Sequence, residues 1–225
     1  MSPMMIGLII NATLQTLGMV LASCTIAVVL GLPLGVLLLV TRKNHILQGI
    51  SINRFISIIV NIVRSVPFII LMVAITPLTQ IIVGTSIGTV AAIVPLSISA
   101  IPFFARLCES ALNEVPSGLI EAALAMGASP MQIIRQVLIA EAMPGIIRAT
   151  TITLVALVGY SAMAGAIGGG GLGDLAIRYG YQRFELSVMF VTVAILVLVV
   201  QALQMGGDLI VKQISHRRGV ELSGS

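Results

Sequence analysis

The chain has 225 residues, 58% of them hydrophobic and 9% charged, against about 25% charged in an ordinary soluble domain. Its 12 basic and 8 acidic residues cannot cover a soluble globule of this length. A net charge of +4 leaves no electrostatic footprint for nucleic acid. Most soluble enzymes and disordered modules are excluded, and the composition directs the chain to a bilayer. Cys24 and Cys108 fall in or beside apolar runs, so no disulfide framework is expected. Residues 1–41 carry no charge, so the basic n-region of a secretory signal is missing.

About 20 mostly apolar residues are needed to cross roughly 30 Å of hydrocarbon, and the charge-free intervals predict five such helices. The first is 14–40, with Gly31, Pro33 and Gly35 expected to bend or loosen its second half. The second is 55–75, interrupted by Arg64. The third is 87–107, set off by Thr76-Pro77 and by Gly84-Thr85-Ser86. The fourth is 149–167 and the fifth 186–208. The runs are continuous rather than alternating over about 10 residues, which disfavours a β-barrel. The expected fold is all-α, a polytopic membrane protein with a transmembrane domain over 1–211 and a cytoplasmic tail over 212–225.

Basic residues set the orientation. Arg42, Lys43 and Arg54 follow span one. Arg106, Arg135 and Arg148 bracket the segment between spans three and four, and Lys212, Arg217 and Arg218 follow span five. These nine fall on one side, the cytoplasm, against Arg178 and Arg183 on the other. The N-terminus is expected outside and the C-terminus inside. There is no Trp, and Tyr179 and Tyr181 sit at the expected outer interface. The glycine run Gly168 to Gly173 lacks the Lys-Ser/Thr of a phosphate loop and reads as a tight re-entrant or surface turn.

The segment between spans three and four predicts a helix-turn-helix over 117–140. The first helix is 117–126, rich in Ala, Leu and Met, and Gly127 stands where a left-handed C′ residue would end it. The second opens with Ser129 as N-cap, Pro130 at the first position and Gln132 at capping-box spacing. Ile133, Ile134, Val137 and Leu138 supply its apolar stripe. Read from the residues, this is either a connector packed on its own helices or a docking knob. Its tip is Ala125, Met126, Gly127 and Ala128, with Glu121 and Arg135 at the rim. It has too few basic residues to hold a phosphate backbone.

Glu121-Ala122-Ala123, Gly127 four residues on and Val137-Leu138-Ile139 ten beyond that resemble the EAA loop of binding-protein-dependent ABC importer permeases, and in the family's position. Ala140 stands where the family pattern usually has proline, with Pro144 four residues later, so the second helix is expected to run on to Glu141 or Ala142. Asn61 to Ile70, Val83 to Gly88, Ala125 to Ile133 and Leu157 to Met163 resemble the permeases of methionine importers, and the likeness covers nearly the whole chain. The resemblance implies the type I importer fold and a pathway formed with a second copy of the chain. It also implies two ATPase subunits docked on the EAA loops, and methionine, as either enantiomer, delivered by an extracytoplasmic binding lipoprotein at the bacterial inner membrane. It places span four on the pathway.

Arg64 lies nine residues into its span from Phe55, about 14 Å at helical rise, where a charge faces protein or water. It either braces the central path or, if the span starts late, reaches the inner interface. Tyr160, Ser161 and Met163 stand among small residues that allow close helix approach. Paired Met163 thioethers across a two-fold axis suit a narrow gate, and packing is the alternative. Arg106 and Glu109 are spaced to pair or to lie on a plain surface helix. His45 and His216 have no partner at metal-ligand spacing. No cofactor, metal or catalytic set is expected, and without a Walker lysine the energy must come from a partner. A secondary transporter would want internal repeats and midplane ionisable groups. A permease for another small amino acid or polar solute remains open.

Overall fold

A computed structural model describes residues 3–217, with side chains through Ser215. The first helix, α1, runs Pro3–Val40, about 57 Å at helical rise and eleven residues longer at its start than the expected span. It stays helical through Gly31, Pro33 and Gly35. The two glycines serve close approach instead of bending. A Cβ on Gly31 would come within 2.9 Å of the Ile101 carbonyl, and one on Gly35 within 2.7 Å of the Ala105 carbonyl. Both carbonyls belong to the helix Thr89–Asn113 that faces α1.

The second expected span is not a straight helix. Pro67 disfavours an α conformation at the residue before it, and Val66 is extended at φ −81°, ψ 124°. Helix α2 (Ile50–Ser65) therefore stops there, and α3 (Phe68–Ala74) leaves at 102° to it. A further short helix, α4 (Thr76–Val83), has Pro77 in its first turn and ends on left-handed Gly84 (φ +81°). Then α5 runs Thr89–Asn113, six residues past the expected inner end.

The EAA segment follows as α6 (Ser117–Ala125), α7 (Pro130–Gln132), a π-helical turn (Ile133–Leu138) and α8 (Ile139–Glu141). Helix α9 runs Met143–Ala164, starting six residues before the expected boundary, and passes into a π turn (Gly165–Gly169) broken at Ile167 and Gly168. The chain folds back through α10 (Gly171–Leu175) and a π turn (Ala176–Tyr181) into α11 (Leu186–Arg217). Helix α11 passes the expected end at 208 and takes in the first residues of the expected tail. The remainder, 218–225 with Arg218, and the side chains of His216 and Arg217 lie outside the described residues.

Among the described residues, four helices are long and apolar enough to cross a membrane, and the bent α2–α3 pair makes five. Helices α1 and α5 form the centre, α9 packs on both, and α11 packs on α9. Met19, Leu96, Phe104 and Leu157 are fully enclosed between them. The glycine run is not a surface turn. Gly169, Gly171 and Gly173 are buried, and α1 receives the fold-back: Gln15 Oε1 accepts from the Gly171 amide and Thr16 Oγ1 from the Leu172 amide, each at 2.9 Å.

Candidate coupling and pathway sites

The EAA elbow is built by two local motifs meeting head to tail. Ala128 N–H donates to the Ala123 carbonyl (3.0 Å) and Gly127 N–H to the Leu124 carbonyl (2.9 Å), the bond pair of a Schellman motif. Gly127 holds φ +78° with open space where a Cβ would stand. The N-cap of the next helix, Ser129, stands two residues later. Ser129 Oγ accepts from the Gln132 amide, and Gln132 Oε1 accepts from the Ser129 amide at 2.8 Å. The turn is therefore fixed from both sides by hydrogen bonds the sequence spells out.

The elbow presents Met126, 82% exposed, with Leu124 and Met131 beside it. Glu121, Ala122, Ala125 and Arg135 are exposed, Ala128 is half-buried, and Ala123 is buried. Ile133 and Leu138, fully buried, anchor the second helix to the main core. That helix reaches Glu141, but through a π turn in which Ile139 N–H donates to Ile134, five residues back. Such turns concentrate at functional positions, and no residue pattern in the sequence announces this one.

A groove separates α6 from the loop joining α1 to α2, lined by Asn44, His45, Ile46, Ile120, Glu121 and Leu124. Asn44 takes φ +64°, and His45 Nδ1 is buried without a hydrogen-bond partner. Burial, and secondarily the Arg42 charge, holds His45 below the usual imidazole range.

Near the C-terminal end of α5, Glu109 is 3% exposed and fully engaged. Arg106 Nη1 donates to its Oε2 at 2.7 Å, and Arg42 Nη2 donates to Oε1 at 2.6 Å. Arg42 also reaches Asn113 Oδ1 at 3.2 Å. A carboxylate so enclosed survives because two guanidiniums answer it. The Arg106 pair is at sequence spacing; the Arg42 pair spans 67 residues and left no mark in the sequence.

The pathway candidates separate in space. Tyr160, half-buried, stacks on Phe68 at 4.8 Å between centroids and 10° from parallel. Met163, 47% exposed, stands one turn further along α9. Ser161 points elsewhere: it is 2% exposed and donates to the Val158 carbonyl at 2.8 Å, so it packs the protomer's interior. Arg64, in the last turn of α2, is exposed with its guanidinium 5.9 Å from the Phe103 ring centroid.

Residues 27–219 match the family model of the binding-protein-dependent transport system inner membrane component. The chain belongs to that family. It is accordingly a polytopic inner-membrane protein and a non-catalytic permease component of an ABC transport system. It is 58% identical over 210 residues, 93% of each chain, to the probable D-methionine transport system permease protein MetI of Vibrio cholerae serotype O1. It is 56% identical over 165 residues to the D-methionine transport system permease protein MetI of Escherichia coli K12, covering 73% of this chain and 76% of that one. A chain of the MetNI methionine ABC transporter, solved in inward-facing conformations, superposes with a TM-score of 0.94 at 52% identity, covering 95% of this chain and 99% of that one. A chain of an amino acid ABC transporter with histidines shares the fold at TM-score 0.76 and 20% identity, over 92% of this chain and 94% of that one.

Proposed function

We propose that this chain is the permease of an ATP-driven methionine importer. Two copies enclose the path, and a cytoplasmic ATPase docks on each EAA elbow. An extracytoplasmic binding lipoprotein delivers L- or D-methionine. The likeness to the Vibrio cholerae MetI permease over 93% of both chains supports the solute. The likeness to a MetNI chain at TM-score 0.94 supports the ATPase partner. The nine basic residues expected on the C-terminal side support an N-terminus outside and a C-terminus in the cytoplasm.

The elbow carries the coupling reading. It offers an apolar tip that loses little hydration on docking, held rigid by the Schellman bonds and the capping box, so a push on the tip moves two helices together. Ala123, Ile133 and Leu138 connect those helices to the core. Ala122, Ala125, Met126, Gly127 and Ala128 form the contact, with Glu121 and Arg135 at its rim. On the pathway, Tyr160 and Met163 of α9 line the wall facing the second copy, and Arg64 braces the end of α2.

Co-purification of the ATPase with elbow variants tests this. Gly127→Leu strains a left-handed residue by about 1–2 kcal/mol and adds a branched side chain at the tip. Glu121→Arg reverses a rim charge. Both variants insert and dimerise but lose ATPase and solute-stimulated hydrolysis, whereas Gly127→Asn, which tolerates the left-handed region, retains more of both. Stoichiometric ATPase and normal uptake in both disruptive variants would reduce the elbow to a connector.

A further inference from the structure

We infer that Glu109 is a positioning residue that transmits movement of the EAA elbow to α2 and its Arg64; this rests on the elbow being the joint to the ATPase.

The carboxylate stands where three elements meet. Along the chain it is one turn from the end of α5 at Asn113, and α6 begins at Ser117, so the two are joined by a short link. Its Oε1 holds Arg42 at 2.6 Å, and Arg42 opens the loop whose Ile46 lines the groove against Ile120 and Leu124 of α6. Displacement of α6 therefore reaches Glu109 by two routes, through α5 and through the loop. Its Oε2 holds Arg106 at 2.7 Å. The other terminal nitrogen of Arg106 donates to Asn61 Oδ1 at 3.0 Å and to the Ser57 carbonyl at 3.4 Å, both on α2. One turn beyond Asn61 is Arg64, over Phe103, itself one turn before Arg106. The contact between α2 and α5 is thus laddered from Glu109 to the residue that braces the path.

Charge makes the linkage conditional on Glu109. Two guanidiniums share one enclosed counter-charge; without it they repel, and Arg106 no longer holds a fixed position between Glu109 and α2. A brace without a transmission role would lower stability and slow hydrolysis and uptake together. A transmission role separates the two activities, and that separation is the coupling evidence such a chain of contacts needs.

The experiment uses the assembled permease–ATPase complex with its binding protein in proteoliposomes. Glu109→Gln keeps the side-chain volume and removes the charge. Glu109→Gln is expected to retain stoichiometric ATPase and ATP hydrolysis within about twofold, with a lower thermal midpoint because two guanidiniums lose their shared counter-charge. Methionine uptake falls about fivefold or more, the lower end of ordinary site-to-site coupling, so the ATP spent per methionine rises at least about twofold. Glu109→Asp recovers part of the ratio. Adding Arg106→Gln to Glu109→Gln worsens it little, because both act in one chain. An unchanged ratio overturns the proposal, whether both activities persist or both fall with a lower midpoint. A wild-type chain that binds no ATPase overturns both this inference and the reading it rests on.

Discussion

The rings of Phe68 and Tyr160 stack 4.8 Å apart, joining the first helical residue after the 102° bend to α9 about one turn before its end at Ala164. Pro67 creates the bend and Phe68 fastens its far side, so a short helix too small to be stable alone is held at a defined angle. Tyr160→Phe keeps the stack and should leave transport near wild type. Tyr160→Ala removes a contact worth about 0.5–1.5 kcal/mol beyond its buried area. It should lower both the thermal midpoint and uptake by the assembled complex. Equal uptake in the two variants would remove this wall from the pathway.

The buried fold-back makes a second prediction. A Cβ on Gly173 would sit 2.5 Å from Ala162 Cα, against backbone that has no rotamer to yield, whereas one on Gly18 meets nothing within 4 Å. Gly173→Ala should destabilise the permease by about 1–3 kcal/mol, the usual range for overpacking. Gly18→Ala should stabilise its helix by up to about 1 kcal/mol. Thermal unfolding of both variants in detergent reads the difference, and equal midpoints would contradict the buried fold-back.

Orientation is open to labelling because both native cysteines, Cys24 and Cys108, are buried. Met4, 77% exposed, and exposed Lys212 mark opposite ends of the chain. A membrane-impermeant maleimide applied to intact cells should modify Met4→Cys and spare Lys212→Cys until the cells are opened. Modification of both from outside would contradict an odd number of crossings.

The EAA elbow was legible in the sequence because its instructions are local. Gly127 two residues before Ser129-Pro130, with Gln132 at capping spacing, names every group that closes the turn. The number of spans was legible for the same reason, since each is written in a continuous apolar run. The bend at Val66–Pro67 was hidden because apolar residues predominate on both sides of it, and hydropathy does not register direction. Gly31 and Gly35 carry no sequence sign of close approach because their partners, Ile101 and Ala105, lie about 70 residues away on α5. Arg42 and Glu109 are separated in the same way. Ser161 shared a segment with Tyr160 and Met163, but 100° of helical rotation per residue turns it inward.

Uptake of labelled methionine into proteoliposomes holding this chain, its ATPase and the binding protein tests the central claim most directly. The account predicts accumulation that requires ATP inside, stops with a hydrolysis-deficient ATPase and is competed by unlabelled L- and D-methionine. Accumulation driven by an ion gradient without ATP, or ATP-driven uptake of another solute with methionine neither carried nor competing, would contradict it.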